Sequence, residues 1–174
     1  MIELIEFSGR SIMTPVTNLV QKDVLIRKSI MEDIDRFIEI ERQCFNPKFR
    51  YEYSILFSLL YMYPKFITFS ACINEIVIGY ISGELDEGDQ SNFKIVTIAV
   101  EPEFQRKNIA TKLLQTLIET SKETYRITHV ELHVYSKNQP AIDFYSSHGF
   151  EIKKEIKNYY FRRAHALLMG KKIK

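Results

Sequence analysis

The sequence predicts a single α/β domain built on a mixed sheet with helices on both faces. A chain of 174 residues that is 45% hydrophobic can bury one sizeable core. Its apolar patterns follow the order β-α-α-β-β-β-α-β-α-β-β. Hairpin patterns stand beside a strand–helix–strand crossover, so both antiparallel and parallel neighbours are expected. We expect residues 1–22, which have no clean period, to form an N-terminal extension and residues 23–171 to form the domain.

The individual elements follow from periodicity and from end signals. Alternating or continuous apolar runs predict strands at residues 24–28, 66–73, 76–85, 93–100, 128–136, 150–158 and 164–169. Helical spacing of apolar residues predicts helices at residues 30–45, 51–62, from 109 onward and at 139–148. Ser29 and Glu32 have capping-box spacing at the start of the first helix.

Composition excludes several classes of protein. A formal net charge of +2 gives little support for nucleic-acid binding as the main task. The two cysteines, Cys44 and Cys72, make no disulfide framework and no metal-binding pattern, and we expect both to be core residues. No secretory signal and no apolar run of membrane-spanning length is visible. We therefore expect a cytoplasmic protein with no metal and no membrane partner.

The second predicted helix is rich in aromatic residues. Such residues can stack on bases of single-stranded nucleic acid, but few cations interleave with them here. We favour a role in the core and in lining a pocket for Tyr51, Tyr53, Phe57, Tyr61 and Tyr63.

The run Gln-Arg-Lys-Asn-Ile-Ala at residues 105–110 has the properties of an anion site. It joins a strand to an amphipathic helix, whose first amide groups lack partners within the helix. The helix dipole places partial positive charge there, and Arg106 and Lys107 add full charges. Basic residues are unfavourable beside the positive end of a helix unless an anion binds, so the pattern favours a pyrophosphate site.

These residues resemble a known family. The run is similar to the Gln/Arg-x-x-Gly-x-Gly/Ala acetyl-CoA signature of the GCN5-related N-acetyltransferases, with Gln105, Asn108 and Ala110 at the signature positions. Downstream, SKNQPAIDFYSSHGF resembles the second half of that fold, at the expected spacing. NYY at residues 158–160 is similar to the branch that acetylates protein N-termini, which includes ribosomal-protein-alanine and archaeal enzymes. The resemblance covers residues 24–170.

The resemblance implies a mostly antiparallel seven-stranded sheet, splayed between two central parallel strands at residues 93–100 and 128–135, with about four helices. Acetyl-CoA would lie in that splay as acetyl donor. Backbone groups of the first strand would hold its pantetheine arm and the loop would wrap its pyrophosphate. The implied cofactor-binding residues are Ile98, Ala99, Val100, Gln105, Arg106, Lys107, Asn108, Ile109, Ala110, Thr111, Asn138, Ala141 and Tyr145.

The resemblance also assigns two catalytic residues. His133 stands on the strand beside the cofactor, and its unperturbed pKa suits a general base that takes a proton from an amine. On the sequence alone a histidine in an alternating strand more often packs or faces solvent, and the resemblance reverses that expectation. Tyr145 stands at the family's position for the acid that protonates the leaving thiolate.

On the acceptor side, the resemblance implies a role in substrate binding for Phe45, Asn46 and Pro47, in the loop between the first two helices, and for Tyr159 and Tyr160. The loop departs from the Leu-Pro-Glu-Asn-Tyr pattern of some related branches and so lacks their carboxylate. A tyrosine that one branch uses as a base is replaced by Lys94. His129, His148 and His165 have no role that the family suggests.

Three functions stay open from the sequence. The first is an N-terminal protein acetyltransferase whose partners are protein or peptide N-termini, with nascent chains or the ribosome as their source. The second is the same fold acting on lysine side chains or small amines, and the third is a non-catalytic acyl-CoA-binding module. Asn108 replaces the family's glycine, and because asparagine tolerates left-handed φ/ψ, we expect it to hold the same turn.

Overall fold

A computed structural model describes residues 24–173, so the predicted N-terminal extension lies outside the described part of the chain. The strands are β1 (Leu25–Lys28), β2 (Phe66–Ile73), β3 (Ile76–Leu85), β4 (Asn92–Val100), β5 (His129–Tyr135), β6 (Glu151–Phe161) and β7 (Ala164–Lys172). They form one sheet in the order β1-β2-β3-β4-β5-β7-β6. The β4–β5 pair is parallel, and every other neighbouring pair is antiparallel. The predicted mixed sheet is confirmed.

Four α-helices flank this sheet: α1 (Ile34–Cys44), α2 (Tyr53–Tyr61), α3 (Ile109–Tyr125) and α4 (Gln139–Ser147). Two hydrophobic clusters separate them from the strands. One cluster packs residues of α3 and α4 against the sheet, and includes Leu113, Leu117 and Ile142. The other packs α1 and α2 against it, and includes Phe37 and Leu56. The helices therefore lie in two groups with the sheet between them, as predicted.

The start of α1 differs from the prediction. A short 3-10 turn at Met31–Asp33 precedes the helix, and the Asp33 carboxylate accepts the Ile30 amide N–H at 3.1 Å. The predicted capping box of Ser29 and Glu32 is wrong, since the Ser29 hydroxyl lies 2.7 Å from Ser70 Oγ on β2. Because Ser29 contacts β2, the capping position falls one residue later than the sequence spacing predicted, at Ile30.

The aromatic residues of α2 do not share one environment. Tyr51 is half-buried and faces the cavity described below, as expected. Tyr53, Tyr61 and Tyr63 are more than half exposed, so their predicted burial is wrong. Only Leu56 and Leu59 of the short helix are fully buried, whereas Phe57 and Leu60 are half-buried and the remaining apolar residues are exposed. No helix within residues 24–173 is long and apolar enough to cross a membrane.

A β-bulge in β4 opens the sheet. Thr97 pairs with Ser82 and Ile95 pairs with Gly83, so Val96 is the extra residue on β4. Gly83 is required at this point, because a Cβ there would come within 2.9 Å of the Lys94 carbonyl oxygen and closer still to the Phe93 ring.

The same point ends the parallel pairing. The β4–β5 ladder runs from Asn92 opposite His129 to Ile95 opposite Leu132, and it stops there. Beyond Val96 the two strands diverge and no longer pair with each other, although side chains occupy some of their carbonyls, such as Val96 and Val100. The bulge therefore places an opening in the middle of the sheet.

Candidate active site

A cavity of about 620 Å³ begins where β4 and β5 diverge. Its walls come from α1 and the loop after it, from β4 and β5, and from the first turns of α4. Tyr160 on β6 completes the wall. Ligands in α/β sheets favour such gaps at the carboxyl ends of strands.

The loop that follows β4 leaves a row of unused backbone donors. The first helical bond of α3 joins the Lys112 amide to the Asn108 carbonyl at 3.1 Å. For the amide N–H groups of residues 106–111, the described part of the chain supplies no hydrogen-bond acceptor. We call residues 105–111 the amide loop. One 3-10 turn separates this loop from the end of β4, and none of its residues lines the cavity. An anion with several oxygens fits such a row of donors.

Two residues of the amide loop adopt left-handed backbone conformations. Asn108 has φ 63° and ψ 11°, which confirms the turn expected from asparagine in the place of glycine. Arg106 has φ 58°, a feature that the sequence did not predict. Successive amides can converge on one anion because these two residues reverse the chain direction.

Two predicted ligands in the amide loop have protein partners for their side chains. Gln105 Nε2 donates to the Val100 carbonyl at 2.9 Å and ties the loop back to β4. Thr111 Oγ1 lies 3.0 Å from His148 Nε2. His148 Nδ1 lies 2.7 Å from the Phe144 carbonyl, which can only accept, so Nε2 is left to accept the Thr111 hydroxyl. His148, to which the family suggested no role, thus joins α4 to the start of α3.

The β4 residues predicted to bind the cofactor divide between the cavity and the core. Ile98 lines the cavity. Ala99 and Val100 are buried, and their side chains belong to the two core clusters on opposite sides of the sheet. Their side chains are therefore not available to a ligand in the gap, and the Val100 carbonyl already accepts the Gln105 side chain and the Cys44 thiol.

Asn138 and Ala141 both line the cavity at the start of α4. The Asn138 side-chain oxygen also caps the helix, accepting the Ala141 amide at 3.3 Å. This bond uses the Asn138 carbonyl oxygen. Its amino group has no partner within residues 24–173, so it is free to donate into the cavity.

His133 lines the cavity from β5, half-buried, with its ring stacked on Tyr159 at a centroid distance of 4.4 Å. Burial lowers the pKa of His133, and the positive charge of Lys94 lowers it further. Glu131 on the same strand face opposes this shift, and Lys154 supports it. The imidazole is therefore neutral at pH 7 and can accept a proton.

Tyr145 faces the cavity from α4 and is only 6% exposed. Burial raises the pKa of its phenol, so the hydroxyl keeps its proton at neutral pH. Its ring packs edge-on against Phe144 and Phe150, which fixes its direction. No group in the described part of the chain accepts a hydrogen bond from this hydroxyl, so the proton is available to a ligand.

Four aromatic rings cover one end of the cavity. Phe49, in the loop between α1 and α2, lies 4.9 Å from Tyr135, 5.3 Å from Tyr160 and 5.0 Å from Phe161 between ring centroids. We call this group the aromatic bridge. The Tyr160 hydroxyl also donates to the His133 carbonyl at 3.2 Å. The bridge joins the loop between α1 and α2 to β5 and β6, so it covers this end of the cavity and leaves a slot beneath it.

Three of the five predicted acceptor-side residues, Phe45, Asn46 and Tyr160, line the cavity. Tyr159 does not line it, but its ring stacks on that of His133. Pro47 is exposed and lies outside the wall. Phe49 could not be predicted from the sequence, because an aromatic residue in a loop carries no periodic signal.

Glu41 is a carboxylate in the cavity wall that is only 2% exposed. It was not among the predicted site residues. It accepts the Tyr80 hydroxyl at 2.5 Å and the Tyr51 amide at 2.9 Å, and burial raises its pKa. The Tyr51 hydroxyl in turn donates to the carbonyl of bulged Val96 at 3.3 Å. A charged residue on the apolar face of α1, one turn from Phe37, was the signal that could have revealed it.

Lys94 stands on β4 beside Glu131 in the parallel register. It forms an ion pair with Asp86, and this contact raises the pKa of Lys94. The ammonium therefore remains charged, and Lys94 serves as a fixed positive charge near His133 and not as a base.

The fold and this site define a class of protein. The family model described as the acetyltransferase (GNAT) family matches residues 34–150. The chain belongs to this family.

Known relatives extend the comparison. An N-alpha-acetyltransferase of Saccharolobus solfataricus is 31% identical over 87% of this chain and 95% of its own length. Among solved structures, Ard1 from Thermoplasma volcanium is similar with a TM-score of 0.77, at 24% identity over 87% of this chain and 98% of that one. Arabidopsis thaliana NAA60 in complex with acetyl-CoA is similar with a TM-score of 0.74, at 20% identity over 86% and 98%. Because both identities are below 25%, these two structural likenesses show a shared fold alone.

Proposed function

We propose that this protein transfers an acetyl group from acetyl-CoA to the α-amino group of protein or peptide N-termini. The observation that carries the proposal is the placement of His133 and Tyr145 on the wall of one cavity that begins at the β4–β5 splay. A base and an acid are the two groups that acyl transfer to an amine requires. The names of the archaeal relatives, such as that from Saccharolobus solfataricus, point to the α-amino group as acceptor.

The residues present fit acetyl-CoA, which would supply the activated acetyl thioester. The unpaired amides of residues 106–111 match the oxygens of a pyrophosphate, and Arg106 and Lys107 add charge. The free edge of β4 beyond Val96 would hydrogen-bond an extended amide-bearing arm. The amino group of Asn138 would donate to it near the reactive end.

His133 would take the proton that the amine must lose. A peptide α-amino group has a pKa of about 8, so most of it is protonated at neutral pH. Because its pKa is lowered, the imidazole of His133 stays in its basic form. It would accept the proton of the amine directly or through one water. The charges of Lys94 and Lys154 act on a bound ammonium in the same direction, because positive charge favours the neutral amine.

Tyr145 would protonate the departing thiolate, so that the new C–N bond forms as the C–S bond breaks and CoA leaves as a thiol. The bulge in β4 would supply a third group, a donor that stabilises the oxyanion. Val96 is the extra residue of the bulge and has no partner residue on β3, and its backbone N–H would stabilise the negative charge that develops on the carbonyl oxygen. The Tyr51 hydroxyl on the Val96 carbonyl would hold that peptide group in place.

Selectivity for an α-amine over a lysine side chain has two supports. The aromatic bridge covers the slot, which suits the end of an extended chain and excludes the middle of one. A lysine ammonium has a pKa of about 10.4, so losing its proton beside Lys94 and Lys154 is far less favourable. The second feature disfavours polyamines as well, because their ammonium groups also have a high pKa. Nascent chains in the cytoplasm are the source of N-termini that we propose for this site.

The test is a panel of peptides beginning with Ser, Ala, Thr or Met, each paired with an N-terminally blocked copy, assayed with labelled acetyl-CoA. We expect label on the free peptides alone, and mass spectrometry should place it on the α-amine. Equal labelling of blocked copies that contain lysine would show a side-chain acetyltransferase. Acetyl-CoA binding by calorimetry without any transfer would show a non-catalytic binding module.

A further inference from the structure

The segment beside the slot carries an excess of positive charge, and apart from Lys154 the proposed reaction uses none of it. Residues 151–163, which form β6 and the turn after it, contain five cations and two carboxylates, whereas the whole chain has a net charge of only +2. One of those carboxylates, Glu151, already contacts Lys153. The loop on the opposite wall adds Lys48.

These cations lack carboxylate partners. Within residues 24–173, no ion pair involves Lys48, Lys154, Lys157, Arg162 or Arg163. All five are exposed. Unpaired charges of one sign around a concave site raise the local concentration of the opposite charge.

Their position relates them to the slot. The Lys48 ammonium lies 5.8 Å from the ring of Phe161, a member of the aromatic bridge, and Arg162 follows Phe161 in the chain. Lys48 and Arg162 therefore stand on the two walls that the bridge joins. Lys154 lies opposite Leu168, which lies opposite His133, so one row across the sheet leads from the base to this cation.

The inner end of the slot has a different charge. Glu41 is the carboxylate of the cavity wall, and it is buried and already bonded to Tyr80 and Tyr51. An acidic first residue would meet this buried carboxylate, whereas acidic residues further along a peptide would meet the exposed cations at the rim.

We propose that the preferred substrates are N-termini whose first residue is uncharged and whose following residues, from about the third onward, are acidic. This inference rests on the proposed function and adds a substrate class to it. The cations at the rim would act after the first residues are seated, and they would mainly strengthen binding. The exposed aromatic rings beside them would pack against the peptide between the charges.

The experiment uses three peptides that begin with the same Ser-Ala pair and carry acidic, neutral or basic residues at positions three to six. We expect kcat/KM to be about tenfold higher for the acidic than for the basic peptide at low salt, with the difference in KM. The preference should shrink as salt rises, because exposed charges are screened beyond a Debye length of about 10 Å at 0.1 M salt.

The double variant Lys48→Glu/Arg162→Glu places the opposite charge on both walls and should abolish or invert the preference. The double variant Lys28→Glu/Lys172→Glu is the matched control, since it makes the same charge change on exposed residues of β1 and β7 that lie far from the turn after β6. The control should keep the wild-type preference. The folded state of each variant is checked by circular dichroism.

Equal kcat/KM for the three peptides, or an unchanged preference in the double variant, would overturn the inference. So would a double variant that loses binding to single-stranded RNA while keeping the peptide preference, because the cations would then serve a nucleic acid. The proposed function is judged separately by acetylation of the neutral peptide at its α-amine. It stands if that peptide is modified and its blocked copy is not.

Discussion

The two ends of the site are built in different ways. At the donor end, a single run of residues 105–111 presents backbone amides, and two left-handed residues set its shape. At the acceptor end, side chains from α1, the loop after it, β5 and β6 converge beneath the aromatic bridge. A loop made of backbone tolerates changes of side chain. A slot made of side chains from four elements depends on the packing that brings them together.

The largest effect should come from His133, which stands between the two ends. His133→Ala should lower kcat by about a hundredfold or more at pH 7, the range for loss of a general base. Because burial and Lys94 lower the pKa of His133, the wild-type rate should fall on the acid side with a midpoint below about pH 6.5. The variant should lack this base, so its rate should follow the unprotonated fraction of an amine with a pKa of about 8.

His129→Ala is the control for that measurement, because His129 is an exposed residue at the start of the same strand. Its kcat and pH profile should match those of the wild type. If His133→Ala has the same pH profile as the wild-type protein, another group is the base, and the role that we give to the β5 histidine is wrong.

A smaller effect, on stability, should come from the acceptor end. Glu41→Ala removes the acceptor of two groups, the Tyr80 hydroxyl and the Tyr51 amide, and leaves a cavity beside them. Each buried donor without a partner costs about 1–3 kcal/mol, so the free energy of unfolding should fall by about 2 kcal/mol or more. Urea unfolding measures the difference.

Glu39→Ala makes the same change two residues away, where the side chain is half exposed and forms an ion pair with Arg36. Its free energy of unfolding should change by less than about 0.5 kcal/mol. Equal loss of stability in both variants would show that Glu41 has no special part in joining α1 to the β4 bulge.

The smallest effect should come from the donor end. Asn108→Gly keeps the left-handed conformation at φ 63° without a side chain, so acetyl-CoA affinity should be preserved or slightly improved. Asn108→Ala should cost about 1 kcal/mol, because alanine adopts that conformation poorly. Isothermal titration with acetyl-CoA compares the three proteins. Loss of binding in Asn108→Gly would mean that the asparagine side chain itself holds the ligand.

Residues with a local signal were predicted well. The turn at Asn108 could be assigned from the conformational range of asparagine itself. The anion site at residues 105–111 needs only consecutive residues at a helix start, and it stays a prediction. His133 and Tyr145 could be given roles only through resemblance, although both proved to line the cavity. Phe49 and Glu41 escaped, because their importance comes from partners that are distant in the chain.

By itself, the sequence determined the order of strands and helices and the left-handed turn at Asn108, since short-range patterns and single-residue preferences suffice for these. Only the tertiary structure decided where the sheet opens. The bulge at Val96 depends on its register with Ser82 and Gly83 on another strand. It also decided the shape of the acceptor slot, because contacts across long stretches of chain, such as Phe49 with Tyr160, form only once both segments pack on the same sheet.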